Sequence, residues 1–518
     1  MRSTDGDPWF YPDRVTAGVG DVVAIHASGE PAVCSLEVRH PLTDTTLLTI
    51  DDVAVDLHPI PEDAAERGCD WPAVASFRIE SDWPAGYLDL ELRSPSGAST
   101  RHFVCLRGPR ASRSAGVVVL STNTYQAYNY WGGANSYADV DALQSGEVTA
   151  DESRAGAIGR LSARRPYPQG LIAPPADVPR LVNLTDRGVG ERAIPGDLDW
   201  MIQHRPTAYD GSACYLHKWE DVFLRWAAGA GYELDVVCDH DFEIDDNVLD
   251  GYRAAFVVGH SEYWSGRQRE QVERFVQHGG KFGVFSGNTS YWKVRWEDDA
   301  TTMVAHKWRG ETDDPLFADP DTRADATHLW SHPAFERPEA ELIGLSFLYG
   351  GYHRLAMCVA RGAGGYTVYR DQHWSLDGAD LFYGDTFGTD LPLLGYENDG
   401  CPVTFDDQGL PAPDGGVGVP DQLEVIAFAP ATTFEPSHSP YPPLIPAEDA
   451  ETLARIAYGA ADPASIARQQ RGHAVMASMT LGDGEVFNAG TTEWAHGLAA
   501  GDLFVERITR NVLDRFLA

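Results

Sequence analysis

The chain has 518 residues, of which 43% are apolar and 23% charged, and a formal net charge of -37. That length exceeds one ordinary core, so two or three domains are expected, and the composition suits a soluble globular enzyme. The acidity argues against nucleic-acid and anionic-membrane surfaces, which need clustered Lys and Arg.

No run approaches the roughly 20 apolar residues of a membrane helix. Met1 to Pro12 lacks the basic and apolar regions of a signal peptide. The seven cysteines (34, 69, 105, 214, 238, 358 and 401) are scattered and form no Cys-x-x-Cys pair. A reduced, cytoplasmic protein with thiols as small core residues is expected.

Residues 1–110 read as a small Ig-like β-sandwich. Asp21–Ser28, Ala32–His40, Ala73–Glu80, Tyr87–Arg93 and Arg101–Leu106 are short, partly alternating strands separated by Gly- and Pro-rich turns. Pro109 to Ala115 is the expected linker. Residues 111–518 read as an α/β domain, beginning with a buried strand at Val117–Leu120 that runs into a polar, aromatic stretch at Ser121–Gly133. Ala134 to Thr207 has weak periodicity, as a lid or site wall would. A helix follows at Tyr215–Ala228, with Leu216, Trp219, Val222, Phe223 and Trp226 on one stripe, then a strand at Leu234–Val237 and an acidic loop at Asp239–Asp246.

Ala254–Gly259 is a buried strand that stops on His260-Ser261-Glu262. Ser265 caps a helix to about His278, and Lys281–Phe285 is the next strand, closing on Ser286-Gly287-Asn288-Thr289. Sites of open α/β sheets lie at such carboxyl ends. Residues 299–421 read as a large insertion over the sheet. A strand at Leu423–Phe428, a Pro-rich loop at Pro430–Pro446 and a helix at Ala447–Tyr458 come next. A hairpin turning at Gly482-Asp483-Gly484 and an amphipathic helix at Phe504–Phe516 complete the chain.

A nucleophile elbow needs Gly-x-Ser-x-Gly, whereas Gly259-His260-Ser261-Glu262-Tyr263 has tyrosine at the last position. His260 adjoins Ser261 and is poorly placed as its base, so a covalent serine hydrolase is the third-ranked reading. Glu262 suits metal binding or acid–base work equally with a plain helix-dipole role. Asn288 is either a substrate-orienting amide or a turn residue. With no His-Glu-x-x-His and no cysteine cluster in sequence, a conventional zinc site is not expected. Oxygen ligands, carboxylate and phenolate, favour a hard ion such as Fe3+. Nothing resembles a nucleotide-binding glycine loop.

Five segments carry a family resemblance: Thr124–Asn129, Gly259–Ser265, Phe285–Thr289, Leu394–Glu397 and Val486–Ala495. Together, from about Gly116 onward, they resemble the large (β) subunit of N,N-dimethylformamidase. The resemblance implies a class I glutamine-amidotransferase-like, mostly parallel sheet with large insertions that has lost its catalytic cysteine. It implies one iron per chain held by Tyr128, Tyr167 and Glu262, with Tyr125, Tyr130 and Tyr137 as competing phenols for the second position. His260, Asn288 and Glu397 are the implied groups around substrate, Glu397 as the base. The substrate class is a small linear amide, and the implied assembly is a homo-oligomer with a small accessory subunit. The rival class is a non-catalytic protein that binds carbohydrate or another small ligand by stacking on Tyr128, Tyr130, Trp131, Tyr263 and Trp264.

Overall fold

The computed structural model describes residues 7–139, 142, 156–168, 171–172, 216–352, 364–389, 391, 393–395, 397–432 and 447–518. The expected lid at Ala134–Thr207, Tyr215 and the loop at Pro430–Pro446 lie largely outside them. Among the described residues no helix is long and apolar enough to cross a membrane.

Three apolar runs, Gly116–Leu120, Ala254–Gly259 and Lys281–Ser286, form adjacent and almost wholly buried strands. A strand covered on both faces has no solvent side to fill with polar residues, which is why these runs do not alternate. Leu234–Cys238 joins one edge and Gly484–Asn488 the other, all five strands parallel. The Gly472–Leu481 strand then reverses direction, because its register with Gly484–Asn488 leaves only Gly482 and Asp483 in the turn. Glu424–Ala431, Tyr366–Val368 and Thr386–Phe387 continue antiparallel. The nine-stranded sheet is therefore mixed, where a mostly parallel one was expected. Its last two strands on one side come from 299–421, the region expected to lie over the sheet.

Helix Gly266–Gln277 starts where the sequence predicts, Ser265 Oγ accepting from the Gln268 amide. Leu503–Leu517 packs its Val505, Ile508, Val512 and Phe516 stripe into the core. The predicted helix at Tyr215–Ala228 runs from Glu220 to Gly229. Thr122–Tyr128, expected to be irregular, is a short helix. Its residues are buried all round, so no amphipathic period marks it. From the Gly116–Leu120 strand the chain crosses first to one neighbouring strand and later to the other. The crevice at the carboxyl ends of Gly116–Leu120 and Ala254–Gly259 is thus the switch point where such sheets bind ligands.

The amino-terminal region holds a three-stranded sheet (Trp9–Pro12, Val22–Ser28, Ala73–Arg78) and a five-stranded sheet (Thr16–Ala17, Ala32–His40, Thr45–Val55, Gly86–Arg93, Ser99–Leu106). Phe10, Val23, Ile25 and Phe77 of the first share one core with Leu36, Val38, Leu88 and Val104 of the second. Thr45–Val55 was not foreseen, because an edge strand with mostly exposed Thr and Asp lacks a buried face.

Tyr87, Phe103 and Cys105 point the other way, into the core of the α/β region. Buried polar contacts cross the same boundary. Tyr87 donates to Asp221 Oδ1 at 2.6 Å, Thr16 to Asp241 Oδ1 at 2.7 Å, and His217 Nε2 lies 3.0 Å from Asp89. Replacing Tyr87 by Phe removes one donor from a buried carboxylate. It should cost about 1–3 kcal/mol, read as a lower urea midpoint at unchanged slope.

Candidate metal and acid–base site

Two glycines let the site close. Gly259 has φ +75, and a Cβ there would lie 2.5 Å from Trp219. It frees the chain to leave the sheet into His260-Ser261-Glu262. A Cβ on Gly287 would lie 2.2 Å from the carbonyl oxygen of Glu397, so only glycine allows the Glu397 strand to approach. Asn288 follows in the left-handed region at φ 52, a conformation asparagine tolerates.

These turns bring together residues far apart in sequence. His260 Nε2 lies 2.6 Å from Glu397 Oε2 and 3.3 Å from Glu262 Oε2. One donor atom from each of the three falls within 4.8 Å of the others, and all three are buried. Asn288 Nδ2 donates to Glu397 Oε2 at 3.1 Å, while its Oδ1, also buried, has no partner among the described residues. Tyr128 donates to Glu262 Oε2 at 3.0 Å, and Trp292 Nε1 to Glu262 Oε1 at 2.8 Å. The helix that carries Tyr128 is pinned to this turn, since Thr124 Oγ1 accepts from the Glu262 amide at 3.0 Å and Asn123 Nδ2 donates to the Tyr263 carbonyl.

Tyr137, named above only as a competing phenol, is central. Its hydroxyl lies 2.9 and 3.0 Å from the two Glu262 oxygens and 2.9 Å from the Tyr128 hydroxyl. It also accepts from Tyr263 at 2.7 Å. The Lys307 ammonium stands 2.9 Å from the Tyr137 ring centroid, a cation against its π face. No sequence signal joined Tyr137, Trp292 or Lys307 to Glu262, because each comes from a separate element: a loop, a strand and a short 3-10 helix.

Tyr167 is buried, and its ring packs on His102 at 4.6 Å and Phe103 at 6.1 Å, both from the amino-terminal region. Tyr125 donates to buried Glu220, beneath the site. Ser261 Oγ accepts from Trp264 Nε1 at 2.9 Å. The rings offered for sugar stacking are core: Trp131 packs on Trp9 and Trp71, and Trp264 on Phe282.

Charge follows burial and partners. Burial alone disfavours imidazolium at His260, yet the charges of Glu397 and Glu262 overcome it and hold the pKa at about 10. Burial pushes the Glu397 carboxyl above the ordinary range, with the His260 charge opposing. Asp399 and Glu220 are raised by burial to about 8.

All these shifts have one sign for stability. The His260 contribution is fully present below its unfolded value of 6.5 and is lost as pH rises through about 10. Asp399 and Glu220 hold protons that the unfolded chain releases near 3.8 and 4.5, so stability again falls as pH rises through about 8. These groups should therefore lower the melting temperature progressively as pH rises, Asp399 and Glu220 up to about 8 and His260 from about 6.5 up to about 10, as differential scanning fluorimetry in a pH series will read.

The donor set is rich in oxygen: two phenols and two carboxylates around one imidazole. Those donors fit a hard cation, and phenol with carboxylate suits ferric iron better than zinc. Fold and site define a mixed α/β protein whose strand ends carry a buried acid–imidazole–phenol cluster. The family model described as N,N-dimethylformamidase beta subunit-like, C-terminal, matches residues 43–509, and the chain belongs to that family. The match begins inside the amino-terminal sheets, well before Gly116. No curated protein matches the chain.

Proposed function

We propose that the protein hydrolyses the carbon–nitrogen bond of a small linear amide with the help of one hard metal ion. The observation that carries this reading is the convergence of His260, Glu262 and Glu397 beside Tyr128. The family supports the amide, and the donor chemistry supports iron. The α/β region would be a glutamine-amidotransferase-like fold without its cysteine, preceded by an Ig-like sandwich. Copies of the chain would assemble together, with a small accessory subunit as a further partner.

Tyr128 and Glu262 would hold the ion, with Tyr167 or Tyr137 as the second phenolate. When bound, it would polarise the amide carbonyl and acidify a water molecule. The raised, buried Glu397 is suited to accept the proton of that water and to return it to the departing amine nitrogen. Imidazolium at His260 donates toward the carbonyl oxygen as negative charge develops there. Asn288 orients Glu397 through Nδ2, and its free Oδ1 is left to accept from water or from an amide N–H.

Metal analysis of the purified chain combined with a formamide panel tests the reading. Metal-free protein that still cleaves amides would refute it. Tyr137→Phe and Tyr167→Phe separate the two phenols: the true ligand's variant should lose the visible iron–phenolate band and at least about tenfold in metal affinity. The other variant should keep the band.

A further inference from the structure

A second donor cluster lies outside this site, at the boundary between the amino-terminal sheets and the α/β region. Cys105 is the last residue but one of the Ser99–Leu106 strand, Cys238 ends the Leu234–Cys238 strand, and Asp241 opens the short helix Asp241–Ile244 that follows. One donor atom from each falls within 4.8 Å of the others, and all three are fully buried. Two thiolates on one tetrahedral zinc ion stand about 3.8 Å apart, given zinc–sulfur bonds of about 2.3 Å. Little rearrangement is therefore needed. Thr16 Oγ1, 2.7 Å from Asp241 Oδ1, supplies a neutral oxygen at the same point.

We propose that Cys105, Cys238 and Asp241 bind a soft divalent cation, zinc by donor chemistry, which clips the two parts of the chain together. Charge balance supports this. Arg107 Nε lies 3.2 Å from Asp241 Oδ1. With both thiols protonated, Arg107 neutralises Asp241. With zinc bound, the three negative charges of two thiolates and Asp241 meet the two of zinc and the one of Arg107. The cluster is neutral in either state, so exchanging two protons for one zinc ion leaves no buried net charge. Arg107 itself is partly exposed, while Asp241 is fully buried. The site has no motif in sequence, since its ligands are 133 and 3 residues apart (238 minus 105, and 241 minus 238). It is independent of the amide chemistry.

The test is a titration of the reduced, chelator-stripped full chain with cadmium alone, followed by zinc. The expected result is an ultraviolet thiolate-to-cadmium band that zinc competes away and that Cys238→Ala abolishes. Zinc should also raise the melting temperature of the wild-type chain and not of the variant. Absence of the band in wild-type protein overturns the proposal, as does an undiminished band in Cys238→Ala, which would put the ion on other cysteines. If Cys238→Ala does not fold, X-ray absorption of the cadmium-loaded wild type decides: two sulfur neighbours support the site and none overturns it.

Discussion

Replacing Glu262 by alanine should empty the metal site and lower amide hydrolysis by at least about 100-fold, the upper end for losing a mere supporting partner. The same change removes the acceptor for Tyr128, Tyr137 and Trp292, three donors that converge on one carboxylate. Each donor left unsatisfied costs about 1–3 kcal/mol, so the melting temperature should fall as well. Glu262→Gln keeps the volume and one acceptor oxygen but not the charge. It should lose metal while staying closer to wild type in stability. Elemental analysis beside a thermal melt reads both, and Glu262→Ala protein with full metal content would remove Glu262 from the ligand set.

The second large effect belongs to Glu397. Glu397→Gln keeps the contact with Asn288 and deletes the proton acceptor, so kcat should fall by about 10²–10⁴-fold with little change in KM. It should also change His260. The Glu397 charge is the largest influence holding that imidazole protonated, and without it burial, which acts the other way, gains weight. The alkaline limb of the residual pH–rate profile should move to lower pH. A residual activity whose alkaline limb stays in place would separate His260 from the reaction.

Some of this was legible in sequence because it is local. The capping serine at 265, the apolar runs of the three central strands and the stripe of the last helix each follow from a short period or one side chain. The pairing of His260 and Glu262 was visible for the same reason, the two being neighbours at a strand end. What was not legible is long-range. Nothing near Tyr137 in sequence points to Glu262, 125 residues away. The family resemblance named Tyr137 only as a competitor of Tyr167, and the sequence held no sign that the Tyr137 hydroxyl lies on Glu262 beside Tyr128. Trp131 and Trp264 read as a sugar platform because aromatic residues in a polar stretch look exposed. Their rings are core, since neighbouring segments supply other aromatic rings to cover them.

The boundary near residue 110 divides the chain in sequence but not in energy. Asp221 and Asp241, on the α/β side, draw donors from Tyr87, Thr16 and Arg107 on the other. Cutting the gene there would not yield a self-contained α/β protein. It would yield a fragment in which buried Asp221 loses Tyr87 and keeps Arg225, while buried Asp241 loses Thr16 and Arg107 and keeps the Cys238 amide. Recombination between relatives faces the same constraint: a swapped amino-terminal region must bring its own matching hydroxyls and guanidinium.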